Sequence, residues 1–463
     1  MRKIIPLLLL IVLVAVSCRP QPDLSRDFDE PETWGETFDI YWKKMSTNYL
    51  FWNLDYNEGR DWDKVYDEYK GRFDELGLVE DNTRTSAEQK ANTLTAYRYF
   101  FDIIKHLSDG HYALQMDDQC DNTITLAPYM YRYLTALDYT EEEIFTFFAD
   151  PESRKTSLFN RYQDYNNENT VHIIEYSFGL PTTGSGTAGT SRYGFSSIQY
   201  VNISKSTNTN EFHIALGRNS DGIVYFAFSG FNFYPYITAA LISGENEVSE
   251  IIQEFFRLVT DENTTGVVID LRGNSGGVVS DMAILWTAFM PEGADSLRIG
   301  DTRRKNSENR TDYTVWSPFI IERCNLFEYG TFSDDVPIAI ILNENSVSCA
   351  EMSTFAFMSL RDTYGYNVRL FGAHSQGGNG ALITDSESKL SEILFNGGIT
   401  TVAPYITLIY TPYCQSRYIN GTNYEGKGIP VDEQVTFSPS DFKTGNDLRL
   451  KAALAWLEEQ NQN

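Results

Sequence analysis

Val267-Val268-Ile269-Asp270-Leu271-Arg272-Gly273-Asn274-Ser275-Gly276-Gly277 is the stretch on which the fold of this chain turns. Gly266 to Leu271 carries the unbroken apolar run of a strand buried on both faces, and Ser280 to Phe289 beyond it has helical spacing. Between them the chain stops at Asp-Leu-Arg and turns through glycines. Paired glycines let backbone N–H groups approach a ligand closely, and the helix that follows adds partial positive charge. Such a turn suits an oxyanion, with Gly276 and Gly277 as donors, and it also suits a tight structural connection.

A second unit of the same kind follows. Val336 to Leu342 reads as a strand, Asn343-Glu344-Asn345-Ser346-Val347-Ser348-Cys349-Ala350-Glu351 as its turn, Ser348 to Leu360 as a helix and Val368 to Phe371 as the next strand. A serine that opens a helix serves as an N-cap. It is also well placed as a nucleophile, because the N–H of Cys349 can join one from Gly276 or Gly277 around the oxygen that becomes negative when Ser348 attacks a carbonyl. With a strand at Ile223 to Phe228 and a helix at Val248 to Val259, the tandem β-turn-α units predict an α/β layer with parallel strands. Chemistry is expected at the carboxyl ends of those strands.

Outward from this core, residues 36–112 read as an aromatic-rich helical domain. Residues 113–221 are poorly legible apart from a helix at Glu141 to Phe148, and they remain an inserted segment of unknown role. The α/β core is expected over 222–463, closing with a helix from Asn446 to Glu459. No period of 20 to 50 residues repeats, which argues against solenoids and propellers. The chain has 463 residues, 42% of them hydrophobic, enough for two or three domains. Its 64 acidic and 37 basic side chains give a formal charge of −27, which disfavours nucleic acid as a partner. The cysteines contain no C-x-x-C pair, so neither zinc nor another metal is expected, and no organic cofactor is implied.

Taken together, the motif Asp270-Leu271-Arg272-x-Asn274-x-Gly276-Gly277 followed by Asn343-x-x-Ser346-x-Ser348-x-x-Glu351 resembles the serine peptidases of the C-terminal processing protease and tricorn family. Tyr424-Glu425-Gly426-Lys427-Gly428-Ile429-Pro430-Val431-Asp432 is similar to that family's closing segment. The resemblance implies a crotonase-like ββα spiral core with an N-terminal helical cap, and Ser348 as nucleophile. Where processing proteases carry a general-base lysine, this chain has Gly378, which excludes a Ser-Lys dyad. The tricorn-like branch takes a histidine from upstream, and Leu107-Ser108-Asp109-Gly110-His111 resembles that segment, which implies His111 as base. That branch orients its histidine with a glutamate and a serine. Glu425 stands at the glutamate position and Gly110 replaces the serine, so the relay differs here or passes through water. Ser108 and Asp109 are the nearby alternatives, with Asp109 also able to cap its own turn. His374 is a rival base, since its segment should pass near Ser348.

The N-terminus begins Met1-Arg2-Lys3, continues with an apolar run from Ile4 to Val16 and closes on Ala15-Val16-Ser17-Cys18. This resembles a bacterial lipoprotein signal over 1–17, cleaved before an acylated Cys18, with 18–35 as a tether. The expected location is therefore the cell envelope, at the outer membrane. The lack of an acidic run after Cys18 favours the periplasmic face. The expected function is a serine endopeptidase or carboxyl-terminal processing-type peptidase acting on peptides or unfolded proteins. The alternative is a catalytically silent carrier, or a glycan- or peptide-binding lipoprotein, with Trp52, Trp62 and Tyr66 as stacking platforms.

Overall fold

Alternating burial on two faces organises the central sheet. The computed structural model describes residues 31–117, 123–204, 211–244, 246–327, 329–382, 398–402 and 405–462. In chain order the strands are β1 (Ala113–Asp117), β2 (Thr123–Leu126), β3 (Gly184–Gly189), β4 (Ser197–Ile203), β5 (Phe212–Arg218), β6 (Ile223–Phe228), β7 (Gly266–Asp270), β8 (Ser296–Arg303), β9 (Ser317–Glu322), β10 (Ile338–Leu342), β11 (Val368–Gly372), β12 (Gly398–Val402), β13 (Ile406–Thr411), β14 (Gln415–Tyr418) and β15 (Glu433–Gln434). Eight of them form one sheet in the order β15-β11-β10-β7-β6-β5-β4-β3. The pairs from β15 to β6 are parallel and those from β6 to β3 antiparallel.

The apolar runs read from sequence follow from this arrangement. Val224, Phe226 and Phe228 of β6, Val267 and Ile269 of β7, and Ile338, Ile340 and Leu342 of β10 pack on one face with helices Glu247–Val259, Val279–Trp286 and Cys349–Tyr364. Ile223, Tyr225 and Ala227, with Val268, Ala339 and Ile341, face the other side against helix Leu448–Gln460. A strand covered on both faces has no polar side to show. Each such fully buried Val, Ile or Phe stabilises the fold by roughly 1.5–3 kcal/mol. β7 and β10 run side by side, from Ile338 opposite Val267 to Ile341 opposite Asp270, and so deliver both motif turns to the same end of the sheet.

The N-terminal helices Trp34–Asn48, Trp62–Leu76 and Ser86–Ile104 start at side-chain caps from Thr33, Asp61 and Thr85. Trp52 and Trp62 are buried in their shared core, and Tyr66 packs against it while donating to Asp39. Those rings therefore form packing rather than an open stacking platform. Residues 113–221 are divided between two layers. β1 and β2 join β12 and β13 in a four-stranded sheet beside the helices, while β3, β4 and β5 extend the main sheet. Ala113 pairs with Tyr410, a contact across nearly 300 residues that ties the end of the helical region to the C-terminal part.

From Pro31 onward the chain forms one unit. Cys324, Cys349 and Cys414 are free thiols, while Cys18, Cys120 and the apolar run Ile4 to Val16 lie outside the described residues. Among the described residues no helix is long and apolar enough to cross a membrane.

Candidate active site

The two turns are stitched together before any chemistry is considered. Asn343 Oδ1 accepts the Gly273 N–H at 3.0 Å, Ser346 Oγ donates to the Leu271 carbonyl at 2.8 Å, and the Val347 N–H donates to the Asn274 carbonyl at 3.1 Å. This holds Ser348 in a left-handed conformation, φ 60° and ψ −119°, at the head of helix Cys349–Tyr364. Strain of this kind persists where the surroundings enforce it, and it marks sharp strand-turn-helix nucleophile sites. Here the Ser348 N–H donates to the Gly378 carbonyl at 3.0 Å and to Glu351 Oε2 at 3.3 Å. A Cβ on Gly276 would lie 2.5 Å from that of Ser348, so the approach of the two turns requires glycine there.

Beside Ser348, the N–H groups of Gly277 and Cys349 have no acceptor among the described residues. Gly276 departs from expectation. Its N–H is taken by Asn274 Oδ1 at 2.9 Å, and the same buried carboxamide donates to the Phe228 carbonyl at 2.8 Å, so this amide serves the turn and is not free for a ligand. The Cys349 thiol donates to the Gly277 carbonyl at 3.1 Å, which fixes the spacing of the two remaining donors. Burial pushes that thiol up to about 12, so Cys349 stays protonated at neutral pH.

His111 reaches the same place from the end of the helical region. It lines a cavity of about 700 Å³ together with Ser348, Gly277 and Cys349. Gly378 packs against both residues, its carbonyl on the Ser348 N–H and its backbone beside the His111 ring. A Cβ on Gly378 would lie 2.8 Å from Val347 Cγ2 and 3.2 Å from both Nδ1 and Cε1 of His111. The space a lysine would need at Gly378 is therefore filled by the imidazole. Burial pushes His111 down to about 4, which keeps the ring neutral at pH 7, and its Nδ1 is buried without a partner.

One donor atom each from His111, Asp109 and Glu425 lie within 4.8 Å of one another. Glu425 is locked by three backbone N–H groups, from Gly110 at 2.8 Å, Asn379 at 3.1 Å and Gly380 at 2.9 Å. Asp109 accepts from the His111 N–H at 2.8 Å and from Thr411 Oγ1 at 2.7 Å, capping the turn that carries the histidine. These carboxylates are spoken for as hydrogen-bond acceptors, and this chemistry fits an orienting role better than an open metal site. Burial raises both, Asp109 to about 7, and the charge of Asp109 raises Glu425 further. Ser108 faces away, bonded to Asp55 and Arg60. Gly110 admits no serine, because a Cβ there would meet the Gly377 carbonyl oxygen at 2.1 Å.

Other residues take plainer places. Arg272 is fully buried and bonded to Asp270, Glu168 and Asp447, a network that anchors the first turn from beneath. His374 is exposed, its Nδ1 rests on the Ser375 carbonyl at 2.7 Å, and it does not line the cavity. Glu351, in sequence only the last residue of the second motif, organises the site. Its carboxyl receives Ser375 Oγ at 2.5 Å and the N–H groups of Gly377 at 2.8 Å and Gly378 at 2.7 Å, so the helix behind Ser348 holds the loop in front of His111. Burial raises Glu351 to about 7. Its spacing three residues after Ser348, the capping-box position, was the available sequence signal.

Residues 223–386 match the model of Peptidase family S41. No curated protein matches the chain. Among solved structures, a candidate peptidase from Parabacteroides merdae is similar with a TM-score of 0.54 at 16% identity, covering 92% of this chain and 97% of its own. Mature CPAF complexed with lactacystin is similar with a TM-score of 0.52 at 12% identity, covering 93% of this chain and 99% of its own. At such identities the likeness speaks for the fold, and it agrees with the α/β class expected from the tandem turns. The family match encloses β6, β7, β10, both turns and the helix behind Ser348, and it identifies residues 223–386 as a serine peptidase domain of family S41.

Proposed function

We propose that this peptidase works through Ser348 and His111, in the manner of the tricorn-like branch, on peptides or unfolded proteins in the cell envelope. The observation that carries the proposal is that Ser348 and His111 line one cavity beside two unclaimed N–H groups. Ser348 Oγ attacks the scissile carbonyl while His111 takes its proton and passes it to the leaving amine. The oxyanion is bound by the N–H groups of Gly277 and Cys349, which are fixed before the reaction begins. A water then attacks the acyl carbonyl while giving its proton to His111, and that proton passes to Ser348 Oγ as the bond to the acyl group breaks. Asp109 and Glu425 position His111 through the turn that carries it, by accepting the His111 and Gly110 N–H groups. Endopeptidase and carboxyl-terminal processing activity both fit this machinery.

Ala15-Val16-Ser17-Cys18 supports anchoring through Cys18, with the periplasmic face of the outer membrane as the site of action. Treatment of the full chain with a fluorophosphonate, followed by peptide mapping, tests the nucleophile. The mass should be added at Ser348 and be much reduced in His111→Ala. Addition elsewhere, or none, would overturn the assignment. Detergent phase partition of the expressed protein, with and without Cys18→Ala, tests the anchor.

A further inference from the structure

The cavity that holds Ser348 and His111 is lined, among the described residues, without a single Asp, Glu, Lys or Arg. This is notable in a chain of which 22% is charged and whose formal charge is −27. Several charges near the cleft are turned inward and occupied. Glu425 and Glu351 accept backbone N–H groups, Asp109 accepts from His111 and Thr411, and Glu168 is paired with Arg272 and Arg449. None of them is left to receive a cation from a substrate, and Arg272 and Arg449 are committed to carboxylates as well.

The walls on either side of the nucleophile are made of large uncharged groups. Met352 lies one helical turn beyond Ser348, its N–H bonded to the Ser348 carbonyl at 3.0 Å, and Val279 stands 42% exposed just past the Gly277 donor. Across the cleft, the segment that sequence left without a role supplies Tyr129, Met130 and Tyr162. An apolar side chain entering between these walls gains burial, whereas a charged one loses its hydration and finds no partner.

Resting on the peptidase reading above, we infer that this cleft selects an apolar or aromatic side chain at the residue whose carbonyl Ser348 attacks. Among the described residues the lining has no Arg or Lys to anchor a free substrate carboxylate, so we expect cleavage within chains rather than by reference to their C-termini. Strong carboxylate capture takes an arginine, a lysine or a nest of N–H groups, and the described lining supplies neither cation.

The test uses the full chain and a matched series of internally quenched peptides. They vary only at the attacked residue, as Leu, Met, Phe, Asp, Lys or Arg, each with a free and an amidated C-terminus. The expected result is a kcat/KM about 100-fold higher for Leu, Met and Phe than for the charged residues. Free and amidated forms should be cleaved alike. Val279→Lys, at a position open enough to tolerate the change, should raise cleavage after Asp relative to Leu by about fivefold. Equal rates across the series, a preference for Asp, Lys or Arg, or loss of cleavage on amidation would overturn the inference while leaving the peptidase reading intact. Failure to cleave any peptide, together with failure of Ser348 to take up the fluorophosphonate, would instead remove the peptidase reading and this inference with it.

Discussion

Replacing Gly110 by serine restores the residue that the tricorn-like pattern places before its histidine, and the structure predicts that this damages the site. The new Cβ would stand 2.1 Å from the Gly377 carbonyl oxygen and 2.6 Å from Gly378 Cα, both backbone atoms that cannot rotate away. Ordinary contact begins near 3.4 Å, so the two segments must separate by about 1.3 Å. That shift carries the Gly378 carbonyl away from the Ser348 N–H and the Gly110 N–H away from Glu425, which are bonds of 3.0 and 2.8 Å. Displacements of about 1 Å between reacting groups cost on the order of 100-fold in rate. We therefore expect kcat/KM on an internally quenched peptide to fall about 100-fold in Gly110→Ser. Gly71→Ala is the matched control: it lies in helix Trp62–Leu76 with no atom within 4 Å of the added Cβ, and should be active and more stable by about 0.5–1 kcal/mol. Gly110→Ser with wild-type kcat/KM and an unchanged Tm would refute the reasoning.

Arg272→Met leaves Asp270, Glu168 and Asp447 facing one another without their shared cation, and should destabilise the fold by about 3–5 kcal/mol in chemical denaturation. Because burial holds His111 down to about 4, the acid limb of kcat/KM should lie well below the ordinary imidazole range near pH 6.5, and a limb at or above 6.5 would contradict the base described here. Glu351 is raised from 4.5 to about 7, so between these values the folded state binds the extra proton. Its contribution to stability is complete below pH 4.5 and is lost as the pH rises through about 7. The Tm of the wild type should therefore fall relative to that of Glu351→Gln from pH 4.5 to pH 7, and a relative rise would overturn the assignment.

What could be read in the sequence was what local pattern encodes. β7 and β10 are buried on both faces and so appear as apolar runs, and the glycine and serine turns follow at once in the chain. The helix boundaries moved little: the helix expected from Ser280 to Phe289 is Val279–Trp286 with a 3₁₀ turn at Thr287–Phe289. The segment 113–221 was opaque for physical reasons. β3 reads Gly184-Ser185-Gly186-Thr187-Ala188-Gly189 and buries almost nothing, so no apolar alternation betrays it. β1 finds its partner in β13, far along the chain. The candidate site could be read where one motif sufficed, as with the turn that carries Ser348. It could not be read where function depends on which neighbour claims a backbone group. That Asn274 occupies the Gly276 N–H, that Glu351 gathers the loop 375–378, and that Gly378 and His111 share one space are facts of packing between turns.

The most direct test of the central claim is hydrolysis of a mixed peptide library by the full chain, read by mass spectrometry beside Ser348→Ala and His111→Ala, with folding of each confirmed by its Tm. The account predicts cleavage by the wild type and its loss in both variants. Cleavage that survives in His111→Ala, or in Ser348→Ala, would contradict it.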